Sequence, residues 1–242
     1  MVSASGRLVL VFNGEIYNHL QLRKTLESTG HAPAWRGYSD TETLLAGFET
    51  WGIEATLQQC VGMFALALWD RERRQLTLAR DRLGEKPLYY GQQGKYFLFG
   101  SELKALAAHP AFQTDVDRYA LAGLMRHGYI PAPYSIYAGV KKLPAGHYLC
   151  LQQGTDGSLH GEPTPYWTLA DQVTAGITQP LRLDDHDAAT ALEEVLTQSV
   201  AGQMQADVPL GAFLSGGIDS SLIVALMQKL GNQPARTFSI GF

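Results

Sequence analysis

The sequence has few of the features that mark secreted, zinc-stabilised or membrane-spanning proteins. Only two of its 242 residues are cysteine, Cys60 and Cys150, and no CxxC pair or His/Cys cluster has the spacing of a zinc site. Two isolated cysteines do not make a disulfide framework, so we interpret them as reduced thiols of a cytoplasmic protein. The longest apolar runs, such as Leu8–Phe12, are too short to cross a bilayer.

The sequence also lacks an excess of positive charge. Its formal net charge is −4, so it carries no field that would attract a polyanion, and no nucleic-acid partner is predicted. A hydrophobic content of 45% and a charged content of 17% are ordinary for a globular protein with an ample core. Together with the short apolar runs, these values predict no membrane partner.

What is present divides into two parts. In the first part, turn residues separate short apolar runs, a pattern that predicts antiparallel hairpins. The elements expected there are a strand Arg7–Phe12 with an Asn13-Gly14 turn, a helix Asn18–Thr29, a helix opened by a capping box at Ser39–Glu42, hairpins around Arg71–Arg74 and Gln92–Gly94, short helices at Glu102–Ala108 (capped by Ser101) and Asp117–Arg126, and a strand His147–Leu151.

The second part has a different order of elements. A helix Asp187–Met204, a buried strand Val208–Leu214, a helix Asp219–Leu230 and a strand from Arg236 follow one another, which is typical of a parallel α/β domain. The polar stretch between the parts lacks sustained periodicity. We therefore predict a first domain at 1–167, a linker at 168–186 and a second domain at 187–242.

The stretch "LSGGIDSS" (Leu214–Ser221) predicts a phosphate-binding loop. A strand that ends in Ser-Gly-Gly and passes directly into a helix forms a cup of backbone N–H groups, to which the helix N-terminus adds partial positive charge. The spacing and lysine of a Walker A loop are missing, so Asp219 could instead hold Mg²⁺ against a pyrophosphate. The alternative is a plain strand–helix turn in which Asp219 and Ser220 are caps.

The stretch "NGEIYN" (Asn13–Asn18) offers an amide, a glycine N–H and a carboxylate within three residues. An amide beside a backbone N–H is a plausible oxyanion hole, and the carboxylate of Glu15 could bind an ammonium group. The alternative is a turn that uses Asn13-Gly14 for positive φ. Asp40 likewise has a structural explanation, because an acidic residue stabilises the first turn of a helix.

These patterns resemble those of two known protein families. "LSGGIDSS" resembles the pyrophosphate loop of the ATP pyrophosphatases, which split ATP into AMP and pyrophosphate. This resemblance implies an ATP and Mg²⁺ site in which Asp219 binds the metal and Ile240 lies beside the adenine. The implied nucleotide-binding residues are Ser215, Gly216, Gly217, Asp219, Ser220 and Ile240.

The second resemblance covers the chain from about Arg7 to Phe242. "FNGEIYNHLQLR", "SDTETLL", "GMFALALWD", "LARDRLGEKPLYY" and "FGSELKAL" occur in the order typical of glutamine-hydrolysing asparagine synthetases. The family implies an α+β N-terminal-nucleophile amidotransferase, an α/β/β/α sandwich with antiparallel sheets, followed by the start of an α/β parallel-sheet ATP-pyrophosphatase domain.

The family also implies roles for individual residues. Asn13 and Gly14 would form the oxyanion hole, and Asn13, Glu15 and Asp40 would bind glutamine. Another motif supplies Arg80, Asp81 and Lys86, which we interpret as a charged hairpin network under Tyr89 and Tyr90 and not as catalytic residues.

The sequence departs from the family at the nucleophile. The family uses an N-terminal cysteine whose own α-amine is the general base, whereas this chain begins Met-Val-Ser and has internal cysteines only. We therefore expect an internal fragment, truncated at both ends and inactive as a glutaminase by itself. The parent would amidate aspartate through β-aspartyl-AMP, using ATP and ammonia from glutamine; a homodimer of the parent is left open. The alternatives are a related enzyme with another acceptor, similar to β-lactam synthetases, or a non-catalytic product.

Overall fold

The computed structural model describes residues 1–154, 159–206 and 208–241. It contains two compact units, Met1–Ala175 and the residues from Gly176 onward. The strands are β1 (Leu8–Ile16), β2 (Gly62–Asp70), β3 (Gln75–Arg80), β4 (Tyr89–Gln93), β5 (Tyr96–Gly100), β6 (Lys141–Lys142), β7 (His147–Gln153), β8 (Leu159–His160), β9 (Thr164–Pro165), β10 (Gly211–Phe213) and β11 (Arg236–Phe238). The helices are α1 (His19–Ser28), α2 (Asp40–Trp51), α3 (Ile53–Gln59), α4 (Leu103–Ala107), α5 (Arg118–His127), α6 (Leu169–Thr178), α7 (Asp185–Gln203) and α8 (Ile218–Leu230).

A six-stranded antiparallel sheet organises the first unit. Its strand order is β1-β2-β3-β7-β8, and β9 pairs with β7. The predicted hairpin around Arg71–Arg74 is confirmed as β2–β3. At this turn the Asp70 carboxylate accepts hydrogen bonds from the backbone N–H groups of Glu72 and Arg73, both at 3.0 Å, and from the guanidinium of Arg7. Within this sheet β1 lies at one edge.

Helices α1, α2 and α3 cover one face of this sheet. Their leucines, including Leu22 and Leu44, pack with Phe48 against Phe64 and other inward-facing residues of β1 and β2. Side chains alternate between the two faces of a strand, so β1 buries Leu8 and Leu10 here and exposes Val11. The prediction of α1 is confirmed, with Gly30 at positive φ just after its C-terminal end.

The second antiparallel sheet, in the order β5-β4-β6, packs on the opposite face of the first. Leu78 and Leu149 of the first sheet share a buried cluster with Leu88, Tyr90 and Leu143. Helix α4 in turn contacts β5, so helices, sheet, sheet and helix follow one another through the unit. The predicted antiparallel sandwich and the β4–β5 hairpin are confirmed.

The second unit has the parallel α/β organisation predicted for it. Strands β10 and β11 are parallel, and α7 and α8 contact each other through a core that contains Val200, Leu226 and Met227. The prediction of a buried strand over Val208–Leu214 is wrong, because β10 is shorter and Phe213 is 76% exposed. Among the described residues only β11 pairs with β10, and of the side chains of β10 Ala212 packs against this core whereas Phe213 is exposed.

The stretch predicted as a linker, 168–186, contains α6 and the first residues of α7. A search of the described residues for a helix with the length and apolarity of a bilayer span found none.

Candidate functional site

The predicted Asn13-Gly14 turn is wrong. Both residues lie inside β1, opposite Ala65 and Phe64 of β2. The glycine is needed for a different reason than a turn, since a Cβ at Gly14 would lie 2.1 Å from the carbonyl oxygen of Met63. Its φ of 156° is also one that side-chain-bearing residues rarely adopt. Close approach of two strands, and not chain reversal, therefore explains Gly14.

The pairing of β1 with β2 fixes the direction of the Gly14 N–H. Three positions further along the strands, the pair Tyr17–Val61 is hydrogen-bonded, since the N–H of Tyr17 donates to the carbonyl oxygen of Val61 at 2.8 Å. Antiparallel pairs alternate between bonded and non-bonded, so the pair of Gly14 with Phe64 is non-bonded. In agreement, the N–H of Phe64 donates to the Asp81 carboxylate at 3.1 Å, and its carbonyl accepts from the Asp81 N–H at 2.9 Å.

The N–H of Gly14 consequently points away from β2, at the outer edge of β1. Leu10 and Ile16 are separated from Gly14 by an even number of residues, so their N–H groups point to the same outer edge, and both are hydrogen-bonded there. The N–H of Leu10 donates to the carbonyl oxygen of Met1 at 2.8 Å, and that of Ile16 donates to the Asp40 carboxylate at 3.0 Å. Gly14 lies between these two bonded positions.

The carboxamide of Asn13 lies next to this N–H along the chain. Its Nδ2 donates to the hydroxyl of Ser101 at 2.8 Å. The prediction that Ser101 caps a helix is wrong, because α4 begins at Leu103 with Glu102 in the N-cap position and no side-chain cap. Sequence reasoning thus missed Ser101 as a neighbour of Asn13, since a Ser before a helical stretch normally indicates a cap.

Asp40 joins the end of β1 to the start of α2. One carboxylate oxygen accepts from the N–H of Ile16 and the other from the N–H of Thr41 at 2.6 Å. Ser39 caps the helix as predicted, accepting from the N–H of Glu42. The reciprocal bond of the capping box, from the N–H of Ser39 to the Glu42 carboxylate, was predicted wrongly. Glu42 instead accepts from the backbone N–H groups of residues 36 and 37 and pairs with the buried guanidinium of Arg23.

Several carboxylates act on Tyr17, which lies two residues after Glu15 at the end of β1. Burial, together with the nearby carboxylates of Glu85, Glu15 and Asp81, raises the pKa of Tyr17 to about 12. Three carboxylates acting on one phenol indicate a negative potential here. Such a potential favours a cationic group such as an ammonium.

Asp81 and Arg80 stabilise the loop that follows β3. The fully buried carboxylate of Asp81 accepts from the backbone N–H groups of Phe64, Leu83, Glu85 and Lys86. Arg80 donates to the carbonyl oxygens of residues 84, 86 and 143. The predicted charged network is confirmed in part: Arg80 interacts electrostatically with Asp81 and Tyr89, but the hydrogen bonds of both charged side chains go to backbone groups of the loop and of residues 64 and 143.

Neither cysteine lies in this site. Cys60 belongs to the core under α3, where burial raises the pKa of its thiol to about 12. Cys150 is in β7, in register with Thr77, and the hydroxyl of Thr77 is 3.4 Å from its sulfur. Three strand spacings of about 4.8 Å separate β7 from β1 across the sheet.

In the second unit, the glycine loop connects β10 to α8. Gly216 has φ of 79°, and nothing lies within 4 Å of the place where its Cβ would be. Gly217 is the N-cap of α8 and provides no side-chain cap for the first N–H groups of the helix. The hydroxyls of Ser215 and Ser220 are 3.0 Å apart and face each other across the loop.

Asp219 and Ile240 lie at the same end of this unit as the loop. Asp219 is in the first turn of α8. Ile240 follows β11, and because β10 and β11 are parallel their carboxyl ends share an edge. The hydroxyl of Ser239 donates to the carbonyl oxygen of Leu214 at 2.6 Å, which holds the two strand ends together.

Comparison with known proteins gave matches over nearly the whole chain. Asparagine synthetase 3 of Bacillus subtilis (strain 168) is 36% identical over 239 residues, covering 96% of this chain and 36% of that protein. A putative asparagine synthetase of Mycobacterium tuberculosis (strain H37Rv) is 40% identical over 243 residues, covering 99% and 36%. The chain therefore spans about a third of the length of these curated relatives.

Among solved structures, the glutamine phosphoribosylpyrophosphate amidotransferase of B. subtilis is 18% identical, with a TM-score of 0.48, and covers 99% of this chain and 47% of that one. The model of the asparagine synthase family matches residues 191–242. The model of the glutamine amidotransferase domain matches residues 1–167, and the chain belongs to that family.

Proposed function

We propose that the whole protein carrying this chain is a cytoplasmic, glutamine-hydrolysing asparagine synthetase. In this reaction glutamine is hydrolysed to glutamate and ammonia. ATP adenylates the side-chain carboxylate of aspartate, releasing pyrophosphate, and ammonia then displaces AMP to give asparagine. The matches to an amidotransferase domain and, after it, to asparagine synthase support this combination of two activities in one chain.

The observation that carries the glutaminase half is the pair of donors at the outer edge of β1. Hydrolysis of the glutamine side-chain amide places negative charge on the carbonyl oxygen in the transition state. The Asn13 carboxamide and the outward N–H of Gly14 are adjacent donors that could stabilise that charge. The carboxylates of Glu15 and Asp40 would bind the α-ammonium of glutamine.

The glycine loop fits an ATP pyrophosphate with one magnesium ion. The N–H groups at the start of α8 have no side-chain cap and the space beside Gly216 is open, so phosphate oxygens can approach the backbone. Ser215, Gly217 and Ser220 would add donors. Asp219 would hold Mg²⁺ together with phosphate oxygens, an arrangement that this ion commonly takes with one carboxylate. Ile240 would lie beside the adenine.

The glutaminase half is tested with Asn13→Ala in the whole protein. Removing one oxyanion donor lowers kcat by about 10²–10³. We expect glutamate release to fall by this factor, while asparagine formation from free ammonia continues at the unsubstituted rate. Unchanged glutamate release in Asn13→Ala would show that this edge of β1 is not the oxyanion hole.

The ATP half is tested by pyrophosphate release in the presence of ATP, aspartate and ammonia, which bypasses the glutaminase. Asp219→Asn keeps the size of the side chain but removes the charge that would hold Mg²⁺, so release should be lost. Asp185→Asn, an exposed acid in the first turn of α7, is the matched control and should remain active. Equal activity of the two variants would identify the loop as a structural turn, and release that depends on an acceptor other than aspartate would identify a related ligase.

A further inference from the structure

The hydroxyl of Ser101 links the two sheets of the first unit at the candidate oxyanion hole. It accepts the hydrogen bond from Asn13 Nδ2 at 2.8 Å, across 88 residues of sequence. Ser101 directly follows β5, whose last residue Gly100 pairs with Tyr89 of β4. A Cβ at Gly100 would lie 2.8 Å from the Leu106 side chain, so α4 packs tightly on this strand end. Ser101 is thus attached to a packed part of the second sheet.

Ser101 makes this contact instead of the one that its position in sequence favours. A serine just before a helix usually accepts a hydrogen bond from an N–H of the first turn, which stabilises the helix. Helix α4 has no such side-chain cap, and the hydroxyl is bonded to Asn13. Because the Ser101 hydroxyl bonds a residue of the candidate site and not the helix, we infer that it has a role in that site.

The chemistry of a carboxamide shows what the contact does. The terminal torsion of an asparagine is broad and roughly twofold, so an exposed Asn13 without a partner presents either its NH₂ group or its oxygen to a bound substrate. An amide oxygen facing the developing oxyanion would repel it. The hydrogen bond to Ser101 holds the carboxamide as the structure has it, with Nδ2 toward the hydroxyl, and in this orientation the second N–H of Nδ2 is available to the oxyanion.

We propose that Ser101 is a positioning residue of the glutaminase, acting through Asn13 and touching no substrate atom itself. The proposal rests on the proposed function of the amidotransferase unit. It predicts an effect on the transition state and not on substrate binding, because the α-ammonium of glutamine would be bound by Glu15 and Asp40 and not by the oxyanion donors.

The test compares Ser101→Ala, Ser101→Thr and the unsubstituted whole protein. Ser101→Ala should lower kcat for glutamate release about tenfold, the fold-change expected for losing one hydrogen bond, with KM for glutamine unchanged. Ser101→Thr retains the hydroxyl and should restore kcat. Ser28→Ala, which removes an exposed hydroxyl from the end of α1, is the control and should leave both constants unchanged.

Two further measurements distinguish a positioning role of Ser101 from a purely structural link between the sheets. They are asparagine formation from free ammonia and the melting temperature. Positioning leaves ammonia-dependent synthesis unchanged in Ser101→Ala. A fall in that synthesis together with a lower melting temperature, or a rise in KM with kcat unchanged, would overturn the proposal. Equal kcat in Ser101→Ala and the unsubstituted protein would overturn the role of Ser101 but leave the proposed function standing. No glutamate release by the unsubstituted protein would overturn the proposed function and the role of Ser101 together.

Discussion

At the scale of single residues, Gly14 is the position where one added carbon has the largest predicted effect. In Gly14→Ala the new Cβ would overlap the carbonyl oxygen of Met63, so β1 and β2 would have to separate. We expect the free energy of unfolding to fall by about 3 kcal/mol or more, measured by urea denaturation. Gly30→Ala is the control, because Gly30 also has positive φ but no atom near its would-be Cβ, and it should cost about 1–2 kcal/mol. Similar losses for both would show that φ alone explains Gly14.

The two cysteines should differ in reactivity. The thiolate is the reactive form, and with a pKa of about 12 only roughly one Cys60 thiol in 10⁴ is ionised at pH 8. Cys150 is partly exposed on β7. We expect an aromatic disulfide reagent at pH 8 to titrate one thiol of the folded chain quickly and the second only in denaturant. A fast thiol that persists in Cys150→Ser would contradict the burial of Cys60.

At the scale of elements, the β2–β3 turn should make stability depend on pH. The hydrogen bond from Arg7, aided by the N–H groups of residues 73 and 72, holds the pKa of Asp70 below its ordinary value. Because the folded-state pKa is the lower one, this stabilisation is complete above the unfolded pKa of about 3.9 and is lost as the pH falls through the folded value.

The free energy of unfolding should therefore drop between pH 5 and pH 2.5, and the drop should be smaller in Asp70→Asn. Glu72→Gln is the control: its carboxylate pairs with the same arginine but is 71% exposed, so it should change the pH profile little. Identical profiles for Asp70→Asn and the unsubstituted chain would rule out this turn as a source of acid sensitivity.

Elements defined by their own sequence were predictable, and contacts between distant segments were not. Periodicity located α1, α7 and α8 to within two residues, since a helix is determined by local spacing of apolar residues. The dipeptide Asn13-Gly14 favours a turn locally, but pairing with β2 overrides it. The bond of Ser101 to Asn13 depends on how two sheets stack, and no spacing in the sequence encodes it.

The candidate site was also predictable only where its residues are close in sequence. The structure places Asn13, Gly14, Glu15 and Asp40, which the motifs indicated, together at β1, because three of them are neighbours in the chain and Asp40 accepts from the N–H of Ile16; their roles stay a prediction. The outward direction of the Gly14 N–H could not be predicted. It follows from the parity of the β1–β2 pairing, which a turn at that point would have removed.

At the scale of the whole molecule, the two units should differ in local stability. Two large buried clusters support the sheets of the first unit, whereas the described core of the second contains Val200, Leu226 and Met227, and Ile218 of α8 is 88% exposed. Few buried apolar contacts allow local opening at low free energy. Hydrogen exchange measured by mass spectrometry should thus be faster in α8 than in β2. Equal protection of the two elements would contradict this.

The alternation along β1 also restricts how this gene can change over evolution. Leu10, Gly14 and Ile16 all direct their N–H groups outward because even numbers of residues separate them. Point substitutions leave this parity intact, but gaining or losing one codon between Leu10 and Gly14 would exchange inward and outward groups for one end of the strand. Homologues that keep the activity should therefore show amino-acid replacements in this segment but no single-residue gaps, and a gap of one would identify a lineage that has lost glutamine hydrolysis.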